Sequence, residues 1–457
     1  MFVSTQIVAI NIFIYTIANL LVGDTMKIQT TGMILLILTL SLLVYGCSEK
    51  QQEDKTIDNS TILNNTIIEN NNTIIEKTNV SLSSNVVDSN NQFAFDLYSK
   101  YSSEEKNIFF SPFSISSALA MTYEGARGQT AAEMQRVLHL PNDIEKVRSG
   151  YAEIYREINM ADKPYKLSTA NALWAQKDYS FLDAYLNTVD KYYDGKTTNL
   201  DFKTDTENSR ITINNWVANK TDDKIKDLIP QGVLLPETRL VLTNAIYFKS
   251  NWSLQFDNAS TTDQIFKSDS GTNVNVRMMH NTKYFVYGET KDMQIIELPY
   301  SNNDLSMLVI LPKTSLNDLE KSFTLSNLND WKKNMNTTEV ELSLPKFKFE
   351  TKYFMADKLG ELGMTTALSS SADFSGMTGK KDLYINQVIH QAYIDVTESG
   401  TEAAAATAVL MVAGSLPPQD KPKPKIFNAD HPFIFLIQER NSGNILFMGR
   451  MIDPTLS

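Results

Sequence analysis

The 457-residue sequence holds a single cysteine, Cys47. One thiol excludes an intrachain disulfide and any cysteine-based zinc site. Histidine is almost as scarce: His139, His280, His390 and His431 stand far apart, with no His-x-x-x-His or His-Glu-x-x-His spacing. Basic residues are outnumbered, 42 Lys and Arg against 53 Asp and Glu, for a net charge of −11. That balance speaks against a general nucleic-acid binder and favours solubility. Enzyme signatures are missing as well. There is no Gly-x-Ser-x-Gly elbow and no Walker loop, and Ser103-Glu104-Glu105-Lys106 fits Ser-x-x-Lys without a Lys-Thr-Gly partner downstream. Its charged setting reads as a solvated loop. No cofactor or metal is expected. What is present is 42% apolar and 21% charged residues, enough for a real core. A disordered chain, a collagen and a coiled coil are thereby excluded. The length suits two or three domains or one large one.

Residues 33–46 form an apolar run ending in Val44-Tyr45-Gly46-Cys47. As a helix it spans about 21 Å, short of the ~30 Å hydrocarbon core, which suits a signal peptide better than a membrane span. Met26-Lys27 supplies a short basic start. The segment resembles a prokaryotic lipobox, in which cleavage leaves a lipid-modified cysteine at the new N-terminus. A plain secretory signal with a chance cysteine is the alternative. Residues 1–25 have two readings: a gene-model extension ahead of a start at Met26, or an extra membrane segment at 7–22. The second is interrupted by Asn11 and Asn19 and lacks basic flanks before Lys27. Residues 48–87 are rich in Asn and Thr, and 51–90 contain neither Gly nor Pro. Asn64-Asn65-Thr66-Ile67-Ile68-Glu69 is repeated at Asn71-Asn72-Thr73-Ile74-Ile75-Glu76. Two copies are too few for a coiled coil, so this stretch reads as a polar tether holding a domain off a membrane surface. Asn59, Asn64, Asn71 and Asn79 open glycosylation sequons, a weak signal in so Asn- and Thr-rich a tract.

Residues 88–457 read as one mixed α/β domain. Ser111-Pro112 opens a helix that stops near Gly125, and Thr130-Ala131-Ala132-Glu133 reads as a capping box opening a second. Residues 240–248 are a near-continuous apolar run, expected as a strand covered on both faces. Residues 305–311, 346–349 and 388–396 are further strands, and 432–438 with 444–449 form a hairpin about Asn441-Ser442-Gly443. Between residues 397 and 430 lies a segment long enough to be functional or disordered. It begins Glu398-Ser399-Gly400-Thr401-Glu402-Ala403-Ala404-Ala405-Ala406-Thr407. The plain reading is an Ala-rich surface helix. A period of two says more: Thr401, Ala403, Ala405, Thr407, Val409 and Met411 carry no charge, while Glu402 leads the alternate set. Such a strand can enter the middle of a sheet, small groups inward and Glu402 outward.

That hinge-like run resembles the serpin family, inhibitory type. Four other regions carry the same resemblance: residues 107–130 beginning Asn107-Ile-Phe-Phe-Ser111-Pro112; Ile213-Asn214-Asn215-Trp216-Val217 leading to Thr221 and Lys224-Ile225; residues 244–252; and Asn428-Ala-Asp-His431-Pro432 with Ile445-Leu-Phe-Met-Gly449-Arg450. The resemblance covers about residues 88–457. It implies an α+β serpin fold of three β-sheets, about eight or nine helices and an exposed reactive-centre loop. It implies an inhibitor and no enzyme: a serine protease cleaves the loop, forms a covalent acyl-enzyme, and is carried along as the loop inserts into the central sheet. About 14 inserted residues at roughly 3.3 Å move the protease on the order of 45 Å. By resemblance Glu398 through Thr407 form the hinge, and the cut bond falls at Gly414–Ser415, which points to an elastase-like or subtilisin-like target. A register shift would instead present Leu410 or Met411 to a chymotrypsin-like enzyme. Ser111, Ser114, Asn244 and His390 match the shutter where the sheet parts, and Trp252 the point where the hinge enters. Cys47 is the expected lipid anchor to the extracellular face of the membrane, with secretion as the alternative, and a monomer is expected. A noninhibitory carrier and an inhibitor of papain-like proteases keep the same fold.

Overall fold

The computed structural model describes residues 82–160, 163–402 and 422–456. Cys47, most of the tether, residues 403–407 and the Gly414–Ser415 bond lie outside the described residues. In chain order the elements begin α1 (Leu82–Tyr101), β1 (Ile108–Phe110), α2 (Pro112–Tyr123), α3 (Gly128–Val137), α4 (Ile144–Ile158), β2 (Tyr165–Gln176), α5 (Asp183–Tyr193), β3 (Lys196–Leu200), α6 (Thr206–Lys220) and β4 (Leu240–Asn251). Next come β5 (Thr262–Lys267), β6 (Asn273–Glu289), β7 (Met293–Pro299), β8 (Leu305–Pro312), α7 (Leu316–Ser322), α8 (Leu325–Lys333), β9 (Asn336–Pro345) and β10 (Phe347–Phe354). The last are α9 (Ala356–Glu361), α10 (Ser375–Thr378), β11 (Gln387–Thr397), β12 (Gly400–Thr401), β13 (Lys425–Asn428), β14 (Phe433–Glu439) and β15 (Ile445–Met451).

The apolar run in β4 does lie at the centre of a sheet, buried along its length except at Lys249 and Asn251. That six-stranded sheet runs β10-β11-β12-β4-β2-β3. β11 and β4 also pair directly, in parallel, from Gln387 with Val241 to Tyr393 with Tyr247. Beyond that pair the two strands separate and β12 fills the space. The other nine strands form one hydrogen-bonded set in two blocks. β1, β15, β14, β8 and β7 make the first, and β5, β6, β9 and β13 the second; they join only where residues 286–289 of β6 pair with β7. With the central sheet these blocks make the three sheets expected. Ten α-helices lie among the described residues, and the excess over eight or nine comes from α9 and α10, of 6 and 4 residues.

Each face of the central sheet has its own core. On one side α2 is wholly buried from Pro112 to Thr122, its serines and threonine included, as a helix enclosed in a core is. On the other, Ile213 and Val217 of α6 pack with Ile225, Trp174, Val241, Ala245 and Ile389 in a second, smaller cluster. The packed domain also starts earlier than composition suggests. α1 opens at Leu82, and Val86 and Val87, read as tether, are buried in the main core.

The expected capping box at Thr130 is not one. α3 begins at Gly128, and its N-cap, Arg127, makes no side-chain cap bond. Thr130 lies inside the first turn, and its hydroxyl accepts the Asp373 N–H at 2.9 Å. Glu133 faces away from the cap and takes the Thr366 N–H at 2.7 Å and the Thr366 hydroxyl at 2.8 Å. Burial acts to raise the Glu133 carboxyl, but these hydrogen bonds and that of Gln129 outweigh it, and it is held down at about 2. The pair of residue types that caps a helix locally here ties α3 to the segment after α9. Glu133→Ala is therefore expected to cost about 2 kcal/mol, because the bonds it leaves unmade lie in a buried setting. A urea midpoint that does not move in this variant would disprove that assignment.

Candidate functional site

The midpoint of the central sheet is held by polar side chains on the face toward α2. Ser111 caps α2, accepting the Ser114 N–H at 3.1 Å, and its own hydroxyl donates to the Leu446 carbonyl at 2.6 Å. Its backbone N–H donates to His390 Nε2 at 3.1 Å. His390 Nδ1 bonds Asn244 Oδ1, and Asn244 Nδ2 donates to both Ser114 Oγ and Asn171 Oδ1. Asn171 Nδ2 donates to the Tyr155 hydroxyl at 2.8 Å. His390 is wholly buried, beneath the Tyr353 ring at 6.2 Å. With Nε2 accepting, its proton must sit on Nδ1, so the ring is neutral. Burial pushes its pKa down to about 3, with hydrogen bonding to Asn244 opposing. The four residues assigned to the shutter are thus one network, and Asn244 and His390 are directly paired across the β4–β11 interface.

The open end of the slot is a second polar site. Trp252 stacks on Tyr300 at 4.5 Å. Its indole N–H donates to the Thr397 carbonyl at 3.0 Å and its backbone N–H to that of Ser399 at 2.9 Å. The Phe256 N–H donates to the Glu398 carbonyl at 3.0 Å. The Glu398 side chain is buried, ion-paired to Lys346 at 2.7 Å and bonded by the Thr261 hydroxyl at 2.9 Å. Burial alone would raise its carboxyl; the bonds from Lys346 and Thr261 outweigh that and hold it below its ordinary value.

From this clamp the chain turns into the slot. Gly400 and Thr401 pair antiparallel with Thr397 and Val396 of β11 and with Asn251 and Ser250 of β4. Gly400 has φ +154°, and a Cβ there would fall 2.1 Å from the Ser250 carbonyl oxygen, so only glycine passes. Thr401 is buried on the main-core face, where its hydroxyl bonds Tyr300 at 2.7 Å. Glu402 lies on the opposite face, as the alternation predicts, but it is not open to solvent. Its side chain is 14% exposed and paired to Lys224.

Sequence reasoning missed Asn171, Thr261 and Tyr300 and gave Lys224 and Lys346 no role. Asn171 carried a signal, as a lone amide within the apolar stretch Ala-Asn-Ala-Leu-Trp-Ala. The others meet the hinge only through tertiary packing. Among the described residues no group of His, Cys, Asp or Glu could hold a metal ion.

A central sheet with a short strand lying between two neighbours, a clamped segment beside it and a polar network at its midpoint are the features that mark this fold. The family model described as serpin (serine protease inhibitor) matches residues 88–454. An uncharacterised serpin-like protein of Thermococcus kodakarensis is 44% identical over 81% of this chain and 86% of its own length. Human leukocyte elastase inhibitor is 40% identical over 80% of this chain and 98% of its own. Among solved structures, human thyroxine-binding globulin superposes with a TM-score of 0.75 at 30% identity, over 82% of this chain and all of that one. The chain belongs to the serpin family.

Proposed function

We propose that the protein is a single-use inhibitor of serine endopeptidases, of elastase-like or subtilisin-like specificity. The observation that carries this reading is the register of β12. Continued unchanged, it sends Ala403, Ala405 and Thr407 after Thr401 onto the main-core face, and Thr407 arrives level with His390 and Asn244. Ala404 and Ala406 pass on the α6 face. Small side chains ask least of strands that must part and close again. In this mechanism the protease serine oxygen attacks the Gly414 carbonyl carbon, the Gly414–Ser415 bond breaks, and the Ser415 amine leaves carrying the proton given up by the serine hydroxyl. The protease is then joined to Gly414 as an ester. The 13 residues from Glu402 to Gly414 extend roughly 43 Å at about 3.3 Å each, and their entry drags the ester-linked protease from its starting position. Deforming the protease's site before water arrives leaves the ester uncleaved. The native form is the kinetically held one, with insertion releasing stored strain. The likeness to an elastase inhibitor supports the target class. We place a lipid on Cys47, with the polar segment after it as spacer on the outer membrane face.

The test mixes protein beginning at residue 48 with elastase, subtilisin, chymotrypsin and trypsin. A complex that survives denaturing gels is expected with elastase or subtilisin, together with a released peptide starting at Ser415. Another peptide start keeps the mechanism and moves the bond. Clean cleavage without complex, across the panel, sinks the reading in favour of a noninhibitory carrier.

A further inference from the structure

Glu402 directly follows β12, and what surrounds it bears on how the hinge is held. Its N–H donates to the Asp395 carbonyl at 2.6 Å, which continues the β12 register by one residue. Its φ is +46°, in the left-handed region. On the α6 face the Lys224 ammonium pairs with Glu402 Oε1. The same ammonium lies 5.9 Å from the Tyr247 ring centre and 5.8 Å from that of Tyr393. Tyr247 and Tyr393 oppose each other across β4 and β11, and they are the uppermost pair before those strands separate. One cation therefore lies against both Glu402 and the uppermost pair of the β4–β11 seam.

Lys224 is well placed to act as a fixed point. It follows α6 on a tight turn in which its N–H bonds the Thr221 carbonyl at 3.0 Å. Thr221 is fully buried, its hydroxyl accepts the Ile225 N–H at 3.3 Å, and Ile225 is sunk in the smaller core. The ammonium is thus carried on a braced stem, and the Glu402 carboxylate and two ring faces are attractive partners for it. Among the other charges on this face, Lys348 is engaged with Asp395 at 3.9 Å and with the Tyr393 ring at 5.7 Å, and Asp222 with Lys166. In the inserted register Glu402 keeps its place opposite Asp395. Only its backbone has to relax to an extended conformation.

We propose that Lys224 is a positioning residue for loop insertion: by clasping Glu402 over the Tyr247–Tyr393 pair it keeps the hinge engaged and in register, so that a cleaved loop enters the sheet before the ester is hydrolysed. This rests on the inhibitory reading above. A hinge free to leave the slot must find it again after cleavage, and hydrolysis gains in the competition.

The test compares wild type, Lys224→Met and Lys224→Arg in the whole chain. Amide exchange across residues 398–402 is expected to quicken about tenfold in K224M, with exchange across 387–393 unchanged and K224R close to wild type. With the protease that forms complex, the number of inhibitors consumed per enzyme trapped is expected to rise at least about twofold in K224M and to return in K224R, while the rate of loop cleavage stays the same. Raising salt from about 0.05 M to about 1 M should move wild type part of the way toward K224M. Unchanged exchange in K224M overturns the clasp. Faster exchange with unchanged consumption overturns the positioning role. If wild type traps no protease, the inhibitory reading falls, and the exchange result still decides for or against the clasp.

Discussion

Thr401→Arg is expected to abolish trapping while leaving the loop cleavable. Thr401 is 1% exposed, and its hydroxyl is bonded to Tyr300 beneath the Trp252 stack. The Glu398 carboxylate already serves Lys346 and Thr261, and that of Glu402 lies on the opposite face with Lys224. A guanidinium forced into that site would be buried without a counter-charge, at a cost of several kcal/mol. The hinge would stay outside, and about 3 kcal/mol added to the insertion barrier slows it roughly a hundredfold. Hydrolysis of the ester then wins, and the protein behaves as a substrate. Gel assays of complex against cleaved chain measure the partition, with Thr401→Ser, which keeps the hydroxyl, expected to trap normally. Complex at the wild-type yield from T401R would mean that β12 is not the leading edge of insertion.

Acid should loosen the sheet through a single imidazole. Unfolded, His390 titrates near 6.5; folded, burial holds it at about 3. Between those values the unfolded chain binds a proton that the folded chain refuses, so stability present above pH ~6.5 is lost progressively as pH falls toward ~3. At pH ~4.5 the loss from this one group is about 3 kcal/mol. The structural reason is specific: a second proton on Nε2 would face the Ser111 N–H, which now donates to it. Glu398 acts in the same direction at lower pH, since its carboxyl is held below its ordinary value and its contribution disappears only as pH falls through that lowered value. Urea midpoints at about pH 7 and about pH 4.5, compared between wild type and His390→Gln, separate the two. The variant is expected to be weaker at neutral pH and flatter across this window. Parallel curves for the two proteins would rule out His390 as the acid-sensitive group.

The fold was legible wherever a residue's environment is set by its neighbours in sequence. The apolar run in β4, the Ser111-Pro112 start of α2 and the hairpin of β14 and β15 were each visible in this way. Thr130 and Glu133 were misread because their partners, Asp373 and Thr366, lie more than two hundred residues on. A capping box and a long-range tie use the same side chains, and spacing alone does not separate them. The inward course of Thr401 followed from alternation, because a strand's faces are fixed by its pleat. The covering of Glu402 did not follow, since Lys224 reaches it from a turn after α6. The mutual pairing of His390, Asn244 and Ser111 was suggested only by resemblance. Tyr300, which completes the second polar site, has no local pattern that marks it out; Asn171 had only its place as a lone amide among apolar neighbours.

The parallel pairing of β11 with β4 has a consequence for timing. An incoming strand runs antiparallel to both, so every residue gained replaces one slanted parallel contact with two antiparallel ones. The seam can open only from the Tyr247–Tyr393 end, and the histidine–asparagine pair stands part-way down it. Entry is then a ratchet with an intermediate stop. A chain that pauses there holds the lower seam shut and shows no bare strand edge to its neighbours. A chain whose midpoint pair has already broken shows two. Under the proposed mechanism, the hydrogen bond that slows insertion would also keep waiting molecules apart.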